Sequence, residues 1–499
     1  MKKGKVWLVG AGPGDPGLFT IKGQQVLSQA EVVVYDSLVG DGVLAMIPDT
    51  ARLIYVGKRA GHHIMKQEKI NETLLAEAKK GFRVVRLKGG DPFLFGRGGE
   101  ELELLVKEGI PYEIVPGVTS SIAVPAYNGI PVTHRDFCSS LHIITGHKRA
   151  GKKLDIDFEA LVRTGGTLVF LMGVTAMPDI LSGLREAGME PDMPAAILQK
   201  GTTAGQKKVV ATISTLEEEV ERQGIETPAI IVVGRVCGLA EAFAWYEKLP
   251  LAGKKVLVTR PRELVSSMAE KLRVRGAEVL ELPAIATRPM KENEELSRCL
   301  DQIGEYEWIA FTSPTGVRVF FEYLRGAGRD VRSLGNSKVA AIGEGTKKAL
   351  AKRGIQVDLM PEIYDGASLG TALAKVCSAG ARVLLPRAAV GSSEILEALL
   401  ERKDLRVDDV ATYETFYPSQ EVIDQKAEFE AGEIACAVFT SASTVRGFAE
   451  AVPGLDYTKV KAACIGKQTK AAADRYGMET YMASKATMES LAELVEKIC

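Results

Sequence analysis

No two of the seven cysteines (Cys138, Cys237, Cys299, Cys377, Cys436, Cys464 and Cys499) stand close enough in sequence to form a CxxC pair. An odd, scattered set argues against a disulfide framework or a cysteine zinc site and reads as reduced thiols. All five histidines (His62, His63, His134, His142 and His147) precede residue 150. The rest of the chain therefore works without imidazole acid–base chemistry or histidine ligands, and no metal site is expected. Aromatic residues are few, at 6% with three tryptophans, which disfavours stacking platforms for nucleic-acid bases. A formal net charge of −1 gives no excess of either sign. No general affinity for nucleic acid or membrane is expected, although local basic clefts remain open. No apolar run reaches membrane-spanning length, and Val6–Val9 runs straight into glycines, too short for a signal peptide. The chain reads as cytoplasmic.

What is present points to several α/β layers. At 499 residues, 46% hydrophobic and 25% charged, the chain exceeds what one ordinary core covers. Short β-branched runs alternate with amphipathic stretches almost throughout. Val6–Val9, Val32–Tyr35, Leu53–Val56, Arg83–Leu87, Leu141–Thr145, Thr167–Leu171 and Ala229–Val233 predict strands. Ile21–Ser28, Ile70–Lys80, Gly98–Glu108 and Met177–Ala187 predict helices. Pro116-Gly117 breaks the chain between subdomains of about 1–115 and 116–247. Helix-like Leu239–Tyr246 gives way to a brief linker, 248–254, and a fresh strand opens at Lys255.

The second half, 255–499, repeats itself. Phe311–Arg318 returns as Phe439–Arg446, an offset of 128, and Ala341–Thr346 returns as Cys464–Thr469, an offset of 123. Val256–Pro261 is echoed by Val383–Ala388, an offset of 127. Three matched segments in order predict a duplicated α/β lobe with a cleft. Each repeated turn opens a helix whose free N–H groups attract carboxylates, though Ser and Thr there also serve as simple N-caps. With Arg260, Arg318, Arg387 and Arg446 nearby, the four turns fit a polyanion.

Two glycine-rich segments lie in the first half. Gly10-Ala11-Gly12-Pro13-Gly14-Asp15 follows a strand and precedes a helix, but a dinucleotide loop needs glycine where Asp15 stands. Pro13 also removes a donor. The loop suits a ligand without phosphates, such as the cationic S-adenosylmethionine, or is a plain tight turn. Arg86–Glu101 (RLKGGDPFLFGRGGEE) is more specific, because core packing does not call for so many glycines among arginines.

On these residues the first half, about 4–245, resembles the uroporphyrinogen-III C-methyltransferases of the tetrapyrrole methylase family. The motifs are Val9–Gly23, Tyr35–Val39, Val56–Arg59, Arg86–Glu101, Pro116–Ser121, Gly129–Arg135, Leu171–Gly173 and Gly201–Thr203, in the family's order. The resemblance implies two α/β subdomains, a homodimer through this half, and two methyl transfers from S-adenosylmethionine to uroporphyrinogen III, giving precorrin-2. It implies that the cofactor lies against Pro13, Gly89, Gly90, Asp91, Leu94, Thr119, Ser120, Met172 and Gly201. Leu94 stands where isoleucine is common. Asp36 is then the candidate base and Lys58 the candidate proton donor. Methylating a pyrrole carbon needs a group to receive the displaced proton, and the polycarboxylate substrate needs cations. Arg59, Arg86, Lys88, Arg97, His134 and Arg135 are the candidates for these. The competing reading makes Asp36 a helix cap and Lys58 a solvated surface lysine.

The second half resembles the uroporphyrinogen-III synthases through Val256–Pro261, Phe311–Val317, Ala341–Leu350, Pro361–Leu369, Val383–Arg387, Val410–Thr415, Val438–Phe448, Ile465–Thr469 and Thr487–Leu491. Thr315 departs from the asparagine common there. The resemblance implies a two-lobed α/β fold, with lobes of about 255–285 plus 416–499 and 286–415, and Tyr413 at the hinge. It implies closure of hydroxymethylbilane without a cofactor, with Tyr413 either donating a proton to the departing hydroxyl or serving as an aromatic packed at the hinge. Arg260, Ser313, Thr346, Arg387, Ser441 and Thr469 would bind substrate. Two rivals remain: a methylase acting on a later corrinoid, an RNA or a protein, and a two-lobed solute-binding module for the second half.

Overall fold

The computed structural model describes residues 4–57, 65–147, 154–261, 266–290, 293–391, 393–416 and 423–499, with backbone alone at 260, 261, 266, 283–286, 415 and 416. Nineteen strands among the described residues form two five-stranded sheets and one nine-stranded sheet. The first contains β1 (Lys5–Gly10), β2 (Val32–Tyr35), β3 (Arg52–Tyr55), β4 (Arg83–Lys88) and β5 (Tyr112–Val115). Its order is β3-β2-β4-β1-β5, and every pairing is parallel. A parallel sheet is covered on both faces, so β2 reads Val-Val-Val-Tyr without alternation and buries all four side chains.

The second sheet contains β6 (Leu141–Thr145), β7 (Thr167–Leu171), β8 (Pro194–Gln199), β9 (Lys207–Thr212) and β10 (Ala229–Val233), in the order β6-β7-β10-β8-β9. Only β6 and β7 pair in parallel. Leu239–Tyr246 corrects the helix expected there: the chain makes a 3₁₀ turn over Arg235–Leu239, further turns, and another 3₁₀ turn over Tyr246–Lys248. Its aromatics anchor the chain instead. Trp245 and Tyr246 both pack on Tyr127 at 5.2 Å, and Trp245 Nε1 donates to the Ala126 carbonyl.

The remaining strands are β11 (Lys255–Pro261), β12 (Glu278–Pro289), β13 (Trp308–Phe311), β14 (Lys338–Ala341), β15 (Arg382–Ala388), β16 (Arg406–Phe416), β17 (Ile434–Phe439), β18 (Lys461–Cys464) and β19 (Glu479–Met482). They run in one nine-stranded order, of which β14-β13-β15-β16-β12 is one half and β12-β11-β17-β18-β19 the other. At twelve residues, β12 is long enough to serve both. The duplication is thus a matched strand order, β14-β13-β15-β16 against β18-β17-β11-β12. A parallel bridge from Ala340 to Leu359 even repeats the pairing of β18 with β19.

The chain divides into two compact units, Met1–Leu282 with Ser419–Cys499, and Pro283–Pro418. The first unit therefore holds both N-terminal sheets together with the lobe of β11 and β17. The segment expected as a linker is packed within this unit. Leu251 is fully buried and its N–H donates to Arg275 O (2.8 Å), while Tyr246 OH donates to Gly276 O (3.0 Å).

Candidate active sites

In the first sheet β1 and β4 lie side by side, but the chain from β1 leads to β2 beyond β4, and the chain from β4 leads to β5 beyond β1. A crevice opens at the carboxyl ends of such strands, where ligands of α/β sheets bind. Gly12 and Gly90 bridge across it, with Gly90 N donating to Gly12 O (2.7 Å) and Gly12 N to Gly90 O (3.2 Å). A Cβ on Gly117 would stand 2.2 Å from Gly90 O, so only glycine allows the 116–119 loop this close. Asp91 ties the two loops together. Its Oδ1 accepts from Phe93 N and Leu94 N (2.8 and 3.1 Å), and its Oδ2 accepts from Gly117 N (3.0 Å).

Thr119 caps the helix Ser120–Tyr127, its hydroxyl accepting from Ser121 N (3.3 Å). Buried Gly201 abuts Val124 of that helix, where a Cβ would meet Cγ1 at 2.3 Å. Gly14 packs on Thr202 and Thr203, and Asp15 N donates to Thr202 Oγ1 (3.2 Å). Asp15, the misfit in the glycine loop, accepts from Gly17 N (2.7 Å) and from Tyr127 OH (2.6 Å). Burial first, and Asp15 second, hold the Tyr127 hydroxyl well above its ordinary pKa. The structure thus brings together the segments of Pro13, Gly89, Gly90, Asp91, Leu94, Thr119, Ser120 and Gly201. Met172 follows β7, whose Leu171 shares a core with Val124.

Among the described residues, five non-glycine residues have left-handed backbone: Phe95, Arg97, Met172, Lys200 and Thr202. All five follow β4, β7 or β8. Such conformations cost about 1–3 kcal/mol each and gather at functional sites. Phe93, Phe95 and Met172 on these loops, and Leu38 on the loop after β2, are exposed apolar residues. A backbone floor with an apolar rim, and open space beside Gly90, fits a nucleoside that carries a sulfonium and no phosphate.

Asp36 directly follows β2, with its side chain 21% exposed. It does not cap the next helix, Asp41–Leu44, whose N-cap is Gly40. Its Oδ1 accepts from Leu38 N (3.1 Å) and its Oδ2 from Arg86 NH2 (2.9 Å). Arg86 and Lys88, expected to face substrate carboxylates, are buried. Glu101 Oε1 accepts from Arg86 Nε (3.2 Å), Lys88 Nζ (2.8 Å) and Gln67 Nε2 (3.3 Å). Burial, then the Arg86 charge, lower the Lys88 ammonium pKa against the pull of Glu101. Glu101 is fully buried, and its Oε2 has no hydrogen-bond partner among the described residues. Sequence reasoning missed it, although a βα unit with Arg and Lys two apart on the strand and Glu in the following helix carries the signal.

The other expected cations differ in place. Arg97 is exposed and pairs with Glu100 (2.6 Å). His134 stacks on Phe137 (4.8 Å) and accepts from Asp136 N (3.2 Å), with Arg135 exposed beside it. Lys58 and Arg59 lie outside the described residues, and Arg260 is described only as backbone in β11.

In the unit Pro283–Pro418, Ser313 caps the helix Pro314–Gly326 by accepting from Gly316 N (2.9 Å). Its hydroxyl also meets the Tyr413 hydroxyl at 2.9 Å. Tyr413 is 6% exposed, and burial raises its pKa against Ser313 and Arg318. Arg387 is not an open cation, because Asp409 takes its Nε and NH2 at 2.5 and 2.6 Å. In the first unit Ser441 caps the helix Ala442–Ala451 in a capping box with Thr444. Thr346 and Thr469, expected to reach substrate, are buried in the first turns of their helices.

Fold and sites define a two-part α/β enzyme, a methylase-type crevice followed by a duplicated lobe. A model of the tetrapyrrole (corrin/porphyrin) methylases matches residues 5–217, and one of uroporphyrinogen-III synthase HemD matches 266–493. The porphyrin biosynthesis protein HemD of Ruminiclostridium josui is 47% identical over 498 residues, covering 100% of this chain and 99% of its own. The uroporphyrinogen-III C-methyltransferase of Bacillus subtilis (strain 168) is 44% identical over 358 residues, 72% of this chain and 73% of that protein. A crystal structure of uroporphyrin-III C-methyl transferase from Thermus thermophilus with S-adenyl homocysteine has 40% identity and a TM-score of 0.41, covering 47% of this chain and 98% of its own. The chain belongs to the family that fuses a tetrapyrrole methylase to a uroporphyrinogen-III synthase, the bifunctional synthase and C-methyltransferase of tetrapyrrole biosynthesis.

Proposed function

We propose that the chain closes hydroxymethylbilane to uroporphyrinogen III, inverting the last ring with loss of water, and then methylates the product twice to give precorrin-2. The product would enter the sirohaem and cobalamin branch in the cytoplasm, and the methylase half would pair two copies of the chain. The convergence of four loops on the β1–β4 crevice, with Asp36 at the end of neighbouring β2, carries the methylation half.

Bound S-adenosylmethionine supplies an electrophilic methyl group. Pro13, Gly89, Gly90, Asp91, Leu94, Thr119, Ser120, Met172 and Gly201 would hold it. Asp91 acts by fixing its own loop to Gly117. Asp36 accepts the displaced pyrrolic proton, oriented by Arg86, whose place is in turn set by Glu101. Lys58 is assigned as proton donor by the family resemblance. Arg59, Arg97, His134 and Arg135 are the candidates for meeting substrate carboxylates, while Arg86 and Lys88 hold the site together from within.

In the synthase half no cofactor is needed, because electron-rich pyrroles expel hydroxide readily once the chain is folded for closure. Tyr413, protonated at neutral pH, gives its proton to the departing oxygen, and Ser313 aims it. Ser441 and Arg260 would contribute to binding, with Thr346 and Thr469 shaping the turns and Arg387 holding Asp409 rather than substrate. Tyr413→Phe should slow closure by about 10²-fold or more, as loss of a general acid does, and near-full activity in the folded variant removes Tyr413 from catalysis. The pathway is tested by giving the protein hydroxymethylbilane with and without S-adenosylmethionine. Type I isomer alone refutes the synthase reading, and type III that is never methylated refutes the methylase reading.

A further inference from the structure

Lys255 opens β11, in the lobe of the second enzyme, yet its side chain is only 10% exposed and points at the first. Its Nζ lies 2.9 Å from Asp41 Oδ2, 3.1 Å from Glu428 Oε1 and 3.6 Å from Glu278 Oε1. Asp41 closes the segment that begins at Asp36, and that segment lies on the glycine loop. A Cβ on Gly40 would stand 2.7 Å from Gly14 O, and one on Gly42 2.8 Å from Pro16. Glu278 reaches the opposite wall. Its Oε2 accepts from Ala204 N at 2.7 Å, in the turn that contains Gly201, Thr202 and Thr203.

That turn holds two left-handed residues, Lys200 (φ +43°) and Thr202 (φ +70°), and persists only because its surroundings over-determine it. Within the methylase, Gln206 Oε1 accepts from Thr202 N (2.9 Å) and Thr203 Oγ1 donates to Lys200 O (2.7 Å). The Ala204 N–H, in the middle of the turn, is held by Glu278. Apolar packing follows the same path: Val43, Leu44 and Ile47 share one buried cluster with Leu257, Leu280, Phe429 and Ile434.

We propose that Lys255 and Glu278 are positioning residues for methyl transfer, contributed by the synthase lobe: one lysine–carboxylate group fixes both the Asp36–Asp41 segment and the 200–206 turn that wall the methyl-donor crevice. This rests on the reading that the crevice binds S-adenosylmethionine, and it makes the methylase depend on its neighbour for a pre-shaped site. Neither residue belongs to the synthase machinery. Lys255 lies at the opposite end of β11 from Arg260.

The test uses the full chain and two readouts besides synthase turnover: the Kd for S-adenosylhomocysteine by calorimetry, and kcat and KM for methylation of supplied uroporphyrinogen III. Glu278→Ala should raise the Kd and the KM for S-adenosylmethionine at least five-fold. Glu278→Gln, which keeps an acceptor for Ala204 N, should restore most of that loss. Lys255→Met should raise the same two constants and lower kcat, because Asp41 and the Asp36 segment lose their anchor. In each variant the conversion of hydroxymethylbilane stays at the parent rate. Kd and KM within two-fold of the parent in Glu278→Ala and Lys255→Met would overturn the proposal, as would a Glu278→Gln variant no better than Glu278→Ala. A parent chain that binds no S-adenosylhomocysteine refutes the crevice reading first, and this proposal with it. Should Glu278→Ala not fold, Glu278→Gln against Lys255→Met decides, since only the lysine variant should then be impaired.

Discussion

Arg86, Lys88 and Glu101 show how one buried carboxylate can order the strand ends that carry the proposed base, Asp36. Removing a partner from a buried charge group leaves the rest uncompensated. Glu101→Ala should therefore destabilise the fold by about 3–5 kcal/mol, read from urea midpoints, whereas Glu101→Gln retains acceptor capacity and loses less. Asp36→Asn is nearly isosteric, keeps an oxygen for Arg86 and removes the proposed base. It should lower the methylation kcat by about 10²–10⁴-fold and leave the Kd for S-adenosylhomocysteine unchanged. The identity of Asp36 and its neighbours was legible as motif, but the inward turn of Arg86 and Lys88 was not. A charge on a strand is read as facing solvent or ligand, and only the covering of both sheet faces sends it to Glu101. Thr346 and Thr469 misled in the same way, because a hydroxyl in a helix's first turn looks the same whether it faces a cleft or a core. Lys255 was still harder to see. It follows Lys254 at the start of a strand, and its partner Asp41 is 214 residues away.

At the scale of elements, the glycine loops work by close approach. Gly117→Ala places a methyl 2.2 Å from Gly90 O, a backbone atom that cannot rotate away. It should weaken S-adenosylhomocysteine binding at least ten-fold by calorimetry. Gly99→Ala is the contrast: it lies in the helix Gly98–Lys107 with open space around it, and should stabilise the fold by up to about 1 kcal/mol with binding intact. Most strands of the first half were readable from β-branched runs. β5, β8 and β9 were not, because Tyr-Glu-Ile-Val follows a proline, β8 begins Pro-Ala-Ala, and β9 starts with two lysines. The repeat was visible in three strand–turn pairs. Its fourth pair, β12 with β16, preserves strand position and little residue identity, so only the sheet order reveals it.

At the scale of the molecule, the two enzymes are fastened by charge as well as by packing. Burial pushes the Glu428 carboxyl up to about 7, against the opposing pull of Lys255 and with Asp41 adding to the rise. A carboxyl raised on folding contributes stability that is present below its unfolded value and lost as pH rises through the folded one. Urea midpoints should therefore fall between pH 5 and pH 8, and Glu428→Gln, which still faces Lys255, Asp41 and Glu278, should flatten that slope. An unchanged slope would exclude Glu428 as its source. The shared strand β12 has a different consequence, one of timing during synthesis. Lys255 of β11 pairs with Ile434 of β17, so about 180 residues must be added before that edge is covered. At about 5–20 residues per second that edge of β11 stays open on the nascent chain for roughly 10–35 seconds. The methylase sheets are by then complete, while the lobe beside them waits for β17, β18 and β19. Any ribosome that stalls within residues 283–418 leaves a finished first enzyme carrying an open, aggregation-prone edge.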